Sequence, residues 1–204
     1  MPRYEPLSPG ELVARVAERV LARPGRAVVA VDGADAADPE SVADAVVSRL
    51  RAAGRDAAAV PVHGYVRPAS LRLEYGRDDI DSYRDAWFDY AALDREVLRA
   101  LRDRARWLPA LWDEAADRSA RATLRNASPG TVLVVPGPML LGRGLTFDLT
   151  VRLELSEPAL RRRTPEPQHW TVPALLAHAA EYPEVPDFAV RWDHPSKPAL
   201  RISD

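Results

Sequence analysis

The chain has 204 residues, of which 47% are hydrophobic and 28% are charged, and its formal net charge is −2. This composition is typical of a globular protein with one core, and the charge provides no general attraction to nucleic acid. The absence of cysteine excludes disulfides, thiolate nucleophiles and cysteine-ligated metal sites. No apolar stretch approaches the ~18 residues that cross a bilayer, and the N-terminus lacks the plan of a signal peptide. We therefore expect a cytoplasmic protein that binds neither membranes nor nucleic acid.

The first third of the chain predicts a helix followed by a βαβ unit. Residues 8–11 (SPGE) have the N-cap serine, the proline and the capping-box glutamate of a helix start, so an N-terminal helix is expected within residues 1–25. Residues 27–31 form a β-branched run typical of a buried parallel strand. A second helix is expected from Asp38, and a second strand over 57–62.

The rest of the chain continues the alternation of strands and helices. Asp89 is expected to cap a helix, and residues 149–155 alternate in a way that suggests a strand near a sheet edge. The other expected elements are strands at 131–135 and 188–192 and helices that begin at Ser156 and Thr171. The order predicts an α/β fold with a mainly parallel sheet of about five strands and helices on both faces.

A resemblance to a known family rests on residues 28–37 (VVAVDGADAA) and on the order of the segments that follow. This stretch resembles the start of a P-loop kinase of the uridine kinase type, in which the first strand leads into G-x-x-x-x-G-K-[ST]. The resemblance implies a three-layer αβα P-loop NTPase-like fold and a single domain over residues 1–204. Within it, residues 64–81 are similar to the nucleoside-side loop of these kinases, and residues 161–170 to a shortened lid.

The sequence departs from the family at the phosphate-binding loop. The glycine, lysine and threonine of the motif correspond to Asp38, Pro39 and Glu40, and Lys197 is the only lysine of the chain. Proline has no amide hydrogen to donate. The side chain of Asp38 is expected to cap the helix by accepting hydrogen bonds from amides that a phosphate would otherwise use. The residues expected to form this degenerate Walker A loop are Gly33, Asp35, Asp38, Glu40 and Ser41. Of these, the hydroxyl of Ser41 is the one that could replace the magnesium ligand.

The acidic positions of the family are also altered. The paired aspartates after the second strand, one of which is the general base, correspond to His63 and Gly64, and the acidic residue after the third strand corresponds to Pro136. His63 is either a replacement general base or a surface histidine. Asp32 and Asp35 are either metal ligands with water or, as we favour, turn and cap residues; no metal site is expected.

Further candidates follow from the position of the family's nucleoside pocket. Tyr65, Arg67, Tyr83 and Trp87 could form an aromatic and cationic wall for a planar ligand, although Trp87 is equally well explained as a core residue. Arg162 and its neighbouring arginines resemble lid arginines that neutralise a phosphate, or else form a solvated helix end.

These observations favour a uridine kinase-like domain that has lost ATP-dependent phosphotransferase activity. It would bind a nucleoside-like small molecule, form a homodimer or bind a protein partner, or carry new chemistry with His63 as the base. The alternative is a functional nucleoside kinase with an atypical phosphate site. No cofactor is expected unless that alternative holds, in which case ATP and magnesium are required.

Overall fold

The computed structural model describes residues 3–202. The helices in this range are α1 (Pro9–Leu21), α2 (Pro39–Ala52), α3 (Ala69–Arg72), α4 (Tyr90–Leu93), α5 (Arg99–Arg104), α6 (Glu157–Arg163) and α7 (Val172–Glu181). The strands are β1 (Arg3–Pro6), β2 (Ala27–Asp32), β3 (Ala57–Ala59), β4 (Arg106–Trp107), β5 (Trp112–Asp113), β6 (Arg118–Ser119), β7 (Arg125–Asn126), β8 (Val132–Gly137), β9 (Leu149–Glu154), β10 (Phe188–Arg191) and β11 (Ala199–Ile202). Short 3₁₀ turns lie at Asp35–Ala37, Val62–Tyr65 and Glu166–Thr171. π-Helical turns lie at Ser82–Ala86 and Asp94–Leu98.

The central sheet has seven strands in the order β1-β11-β10-β9-β2-β8-β3. The five strands from β10 to β3 are parallel, whereas β11 is antiparallel to both β10 and β1. The predicted α/β fold with a mainly parallel sheet is confirmed, but the sheet has two strands more than expected. β1 and β11 are four-residue strands whose side chains are exposed or half-buried. They therefore lack the apolar run that identifies a buried strand.

The helix starts predicted from capping residues are confirmed. Ser8 and Glu11 form a reciprocal capping box at α1. The carboxylate of Asp89 accepts from the amide of Ala92, 2.9 Å away, at the start of α4. These interactions involve residues three apart, which explains why they could be found in the sequence.

Two strand predictions are corrected. β9 is an interior strand between β2 and β10, not one near an edge. Its alternation has another cause, because its polar side chains are paired: Thr150 with Asp187 and Arg152 with Asp32. The strand expected over 57–62 is β3, which ends at Ala59 and is followed by the turn Val62–Tyr65.

Apolar side chains cover both faces of the sheet. Val29 and Val31 of β2 face α1 and α2, whereas Val28 and Ala30 face the cluster that contains Leu98. Among residues 3–202, no helix has the length and apolar character needed to span a membrane. Because β2, β3, β8 and β9 are parallel, their carboxyl ends meet at one edge of the sheet, which is where open α/β sheets bind ligands.

Candidate functional site

The loop after β2 forms a 3₁₀ turn at Asp35–Ala37 and then enters α2. Asp38 has a left-handed backbone conformation (φ 55°), and its side chain accepts from the amide of Ser41 at 3.2 Å. Asp38 is therefore the N-cap of α2, as the sequence predicts. Pro39 begins the helix and has no amide hydrogen to offer. Glu40 and Ser41 are exposed in the first helical turn.

Three of the six amides from Gly33 to Asp38 donate to carbonyls of the chain itself. The amide of Gly33 donates to the carbonyl of Gly137 at 3.1 Å, and that of Ala37 to Ala34 at 2.7 Å. The amide of Asp38 donates to the carbonyl of Asp35 at 2.9 Å. A loop that holds phosphate directs such amides toward the ligand instead. In this structure they are used within the loop and by the neighbouring strand.

His63 lies between two carboxylates, in the turn after β3. Its Nε2 is 3.0 Å from Oδ1 of Asp35, and its Nδ1 is 3.5 Å from Oε2 of Glu114. Burial alone would lower the pKa of His63, but the contacts with Asp35 and Glu114 outweigh burial and raise this pKa to about 10. His63 is therefore charged at neutral pH. Because a general base must begin neutral, the geometry favours a role in holding charge over the role of a base.

Glu114 extends this ion pair to the other side of the site. It lies in the turn between β5 and β6, and its Oε1 is 2.8 Å from Nη1 of Arg72. Hydrogen bonding to His63 holds the pKa of Glu114 below its usual range. Arg72 is buried and lies 4.9 Å over the ring of Trp87. Asp35, His63, Glu114 and Arg72 thus form a continuous charged chain, which we call the carboxylate–histidine link.

Neighbouring side chains leave no room for an acidic side chain at Gly64, where the resemblance implies one, or at Gly137, which follows the third such position. A Cβ at Gly64 would lie 2.9 Å from the Cβ of Ala110. A Cβ at Gly137, which follows Pro136, would overlap the side chain of Val62. An aspartate at either glycine would therefore require the neighbouring segment to move.

A crevice of about 660 Å³ lies beside the carboxylate–histidine link. One wall is aromatic: the ring of Tyr83 lies 5.4 Å from that of Trp87 and 5.3 Å from that of Trp170. The lining also includes the polar side chains of Arg163 and Gln168. The size is within the range of small-molecule sites, and the mixture of an aromatic wall with a few polar groups is typical of them.

The structure brings only some of the sequence-predicted residues to this crevice. Asp35, His63, Tyr83 and Trp87 line it. Tyr65 is fully buried, and its hydroxyl donates to the carbonyl of Leu108 at 2.6 Å.

Two of the predicted arginines lie outside the crevice lining. Arg67 is half-buried and Arg162 is exposed. Instead, Arg163 reaches the crevice and donates to the carbonyl of Trp192 at 2.9 Å.

Three lining residues had no specific signal in the sequence: Glu114, Gln168 and Trp170. Glu114 lies in a turn between two-residue strands, which no sequence pattern indicated. Asp32 and Asp35 have protein partners, in Arg152 and His63. Within residues 3–202 no group of three or more His, Asp or Glu side chains has an arrangement that could hold a metal ion.

No family model and no curated protein matches this sequence. Solved structures match over most of its length. A possible uridine kinase from Bacillus stearothermophilus has a TM-score of 0.69 at 16% identity, covering 85% of this chain and 92% of that one. A protein assigned as a fructose transport system kinase from Silicibacter sp. TM1040 has a TM-score of 0.61 at 25% identity, covering 85% and 89%. The YGR205w protein has a TM-score of 0.63 at 9% identity, covering 97% and 100%.

The chain has the uridine kinase-like P-loop kinase fold. The predicted resemblance is thereby confirmed for the fold. In a P-loop kinase fold, the loop between the first parallel strand and the next helix is the phosphate loop. The segment from Gly33 to Asp38, between β2 and α2, occupies the same position in this chain. The crevice lies at the same edge of the sheet and is bounded by this loop, the turn after β3 and the segment after α6.

Proposed function

We propose that this P-loop kinase-like domain binds a small, planar, hydroxylated molecule of the nucleoside type in the crevice, and that it does not transfer phosphate from ATP. The observation that carries this proposal is the loop after β2, in which the amides of Gly33, Ala37 and Asp38 already have partners within the chain. The fold is thus used for binding, without the phosphate site of a kinase.

The charges of the loop argue in the same direction. In a working loop a lysine binds the β- and γ-phosphates, whereas Pro39 stands at that position with Asp38 and Glu40 on either side. At an effective dielectric constant near 20, a pair of unit charges ~4 Å apart interacts by about 4 kcal/mol. Replacing this attraction by neighbouring carboxylates removes several kcal/mol from the free energy of triphosphate binding. Because about 1.4 kcal/mol is a tenfold change in affinity, triphosphate binding would weaken by orders of magnitude.

The crevice retains the features that a planar ligand needs. Trp87 and Trp170 have ring centroids 5.4 Å apart and present aromatic surface to the cavity. Arg163 and Gln168 offer donors, and the carboxylate of Asp35 offers an acceptor for a hydroxyl group. His63 balances the charge of Asp35, which lowers the cost of covering this carboxylate with a neutral ligand.

Calorimetric titrations with uridine and with magnesium-ATP test the proposal. We expect uridine to bind and to change the tryptophan fluorescence, and magnesium-ATP to bind more weakly than ~100 μM. Arg163→Gln should weaken uridine binding. Arg162→Gln is the matched control, because this neighbouring arginine is exposed and outside the crevice.

Two results would contradict the proposal in different ways. Magnesium-ATP binding tighter than ~100 μM, together with formation of a phosphorylated nucleoside, would establish the alternative of a functional kinase. Absence of uridine binding, or equal losses in the two arginine variants, would show that the crevice is not the nucleoside site.

A further inference from the structure

Exposed apolar side chains are concentrated in the segment that begins in α3 and ends before the π-helical turn Ser82–Ala86. Six large apolar side chains are exposed within residues 3–202, and three of them, Leu71, Tyr75 and Ile80, lie in a stretch of ten residues. Tyr75 is 76% exposed and Leu71 is 49% exposed. Exposed apolar groups that are surrounded by polar residues are typical of a protein–protein contact. We call residues 71–81 the apolar turn.

The apolar turn carries an excess of negative charge. Residues 73–81 contain four carboxylates and one arginine. Glu74 and Asp78 are exposed, and neither forms an ion pair in the part of the chain that the structure describes. A partner with positive charge is therefore favoured on this side of the surface.

The β5–β6 hairpin lies beside the apolar turn and supplies positive charge. Asp117, in the turn of the hairpin, accepts from the amide of Ala69 at 2.8 Å, which holds the hairpin against the start of α3. Arg118 and Arg121 follow Asp117 and are exposed. Between residues 3 and 202 neither arginine has an ion-pair partner. Neighbouring segments thus present opposite charges that are not paired with each other.

We propose that two copies of this chain dimerise through this surface, with Tyr75 at its centre and with Glu74 and Asp78 of each protomer facing Arg118 and Arg121 of the other. A two-fold contact requires a surface that complements itself. This surface meets the requirement because it has both signs of charge beside exposed apolar side chains. A purely basic partner would leave the two arginines unpaired, whereas a second copy pairs both halves. The dimer is independent of the function proposed for the crevice.

Sedimentation equilibrium of the full chain tests the proposal. We expect a dimer with a dissociation constant below ~100 μM in ~50 mM sodium chloride, and weaker association in ~500 mM because salt screens exposed charge pairs. Tyr75→Ser should raise the dissociation constant about tenfold or more. Val185→Ser is the matched control, because Val185 is 74% exposed and lies outside the apolar turn. It should leave the dissociation constant unchanged.

Reversing the charge of each half tests whether the pairs form between copies. One variant carries Glu74→Lys with Asp78→Lys, and the other carries Arg118→Glu with Arg121→Glu. Each variant alone should be monomeric, because like charges then face each other across the two-fold contact. An equimolar mixture should form a heterodimer, because both pairs of halves again have opposite charge. Adding Tyr75→Ser to both variants should weaken the heterodimer about tenfold or more, which separates it from a general attraction of unlike charges.

Three results would overturn the proposal. The first is an original protein that remains monomeric at ~200 μM. The second is an equal effect of Tyr75→Ser and Val185→Ser on the dissociation constant. The third is a mixture of the two charge variants that remains monomeric although both have the far-UV circular dichroism of the original protein. All the substituted side chains are exposed, so we expect the variants to fold.

Discussion

Replacing His63 should make the stability of the protein respond to pH in a defined direction. The contacts with Asp35 and Glu114 raise the pKa of His63 from its ordinary 6.5 to about 10 in the folded state. A group whose pKa is raised by folding stabilises the fold fully below its unfolded pKa and loses this contribution as pH rises toward the folded pKa. We therefore expect His63→Gln to be least stable relative to the original protein near pH 6. The difference should narrow between pH 6.5 and 10.

The size of this effect follows from the pKa and the exposure of the groups. At about 1.4 kcal/mol for each unit of pKa, the rise from 6.5 to about 10 has a ceiling of about 5 kcal/mol. His63 is 31% exposed and Asp35 is 49% exposed, so solvent screens their interaction. We expect a difference in the free energy of unfolding of about 2 kcal/mol at pH 6.

Urea unfolding of both proteins at pH 6, 8 and 10 measures this difference. His194→Gln is a control, because it removes an imidazole that is hydrogen-bonded to Ser196 instead of to carboxylates. An NMR titration of the His63 ring provides a direct measurement. The reasoning is refuted if the difference between the original protein and His63→Gln is the same at pH 6 and pH 10, or if the ring titrates near pH 6.5.

Three other substitutions test the structure around the loop. Asp38→Ala should lower the free energy of unfolding in urea by about 1 to 2 kcal/mol, because it removes the N-cap of α2. Asp38→Gly should lower it by less, because glycine tolerates the left-handed backbone at this position. Equal losses in the two variants would contradict the capping argument. Gly64→Asp should lower the free energy of unfolding by about 2 kcal/mol or more in the same assay, since its Cβ would lie 2.9 Å from the Cβ of Ala110. An unchanged unfolding midpoint would show that the segment around Ala110 moves at little cost. Asp32→Asn should lower the free energy of unfolding by about 3 kcal/mol, because it leaves Arg152 without its carboxylate. In thermal unfolding, the double variant with Arg152→Gln should recover part of the lost stability.

The fold could be predicted where its signals are local. The cap of α1 depends on Ser8 and Glu11, three residues apart, and the β-branched run of β2 identifies it as a buried strand. β1 could not be predicted, because Arg3–Pro6 is a strand only through its pairing with Ala199–Ile202 at the other end of the chain. Such pairing depends on main-chain hydrogen bonds, which leave no pattern in short strands with half-exposed side chains.

The candidate site shows the same division between local and distant information. The position of His63 after β3 could be predicted, but its state depends on Asp35 and Glu114, which are 28 and 51 residues away. Arg163, and not Arg162, lines the crevice, because one residue along a helix turns the side chain by about 100°. The carboxylate–histidine link also joins the loop after β2 to the turn between β5 and β6, so the two sides of the crevice are held by one set of charges. Asp35 is thus held by His63, and restoring a lysine to the loop would not by itself release Asp35 from that link.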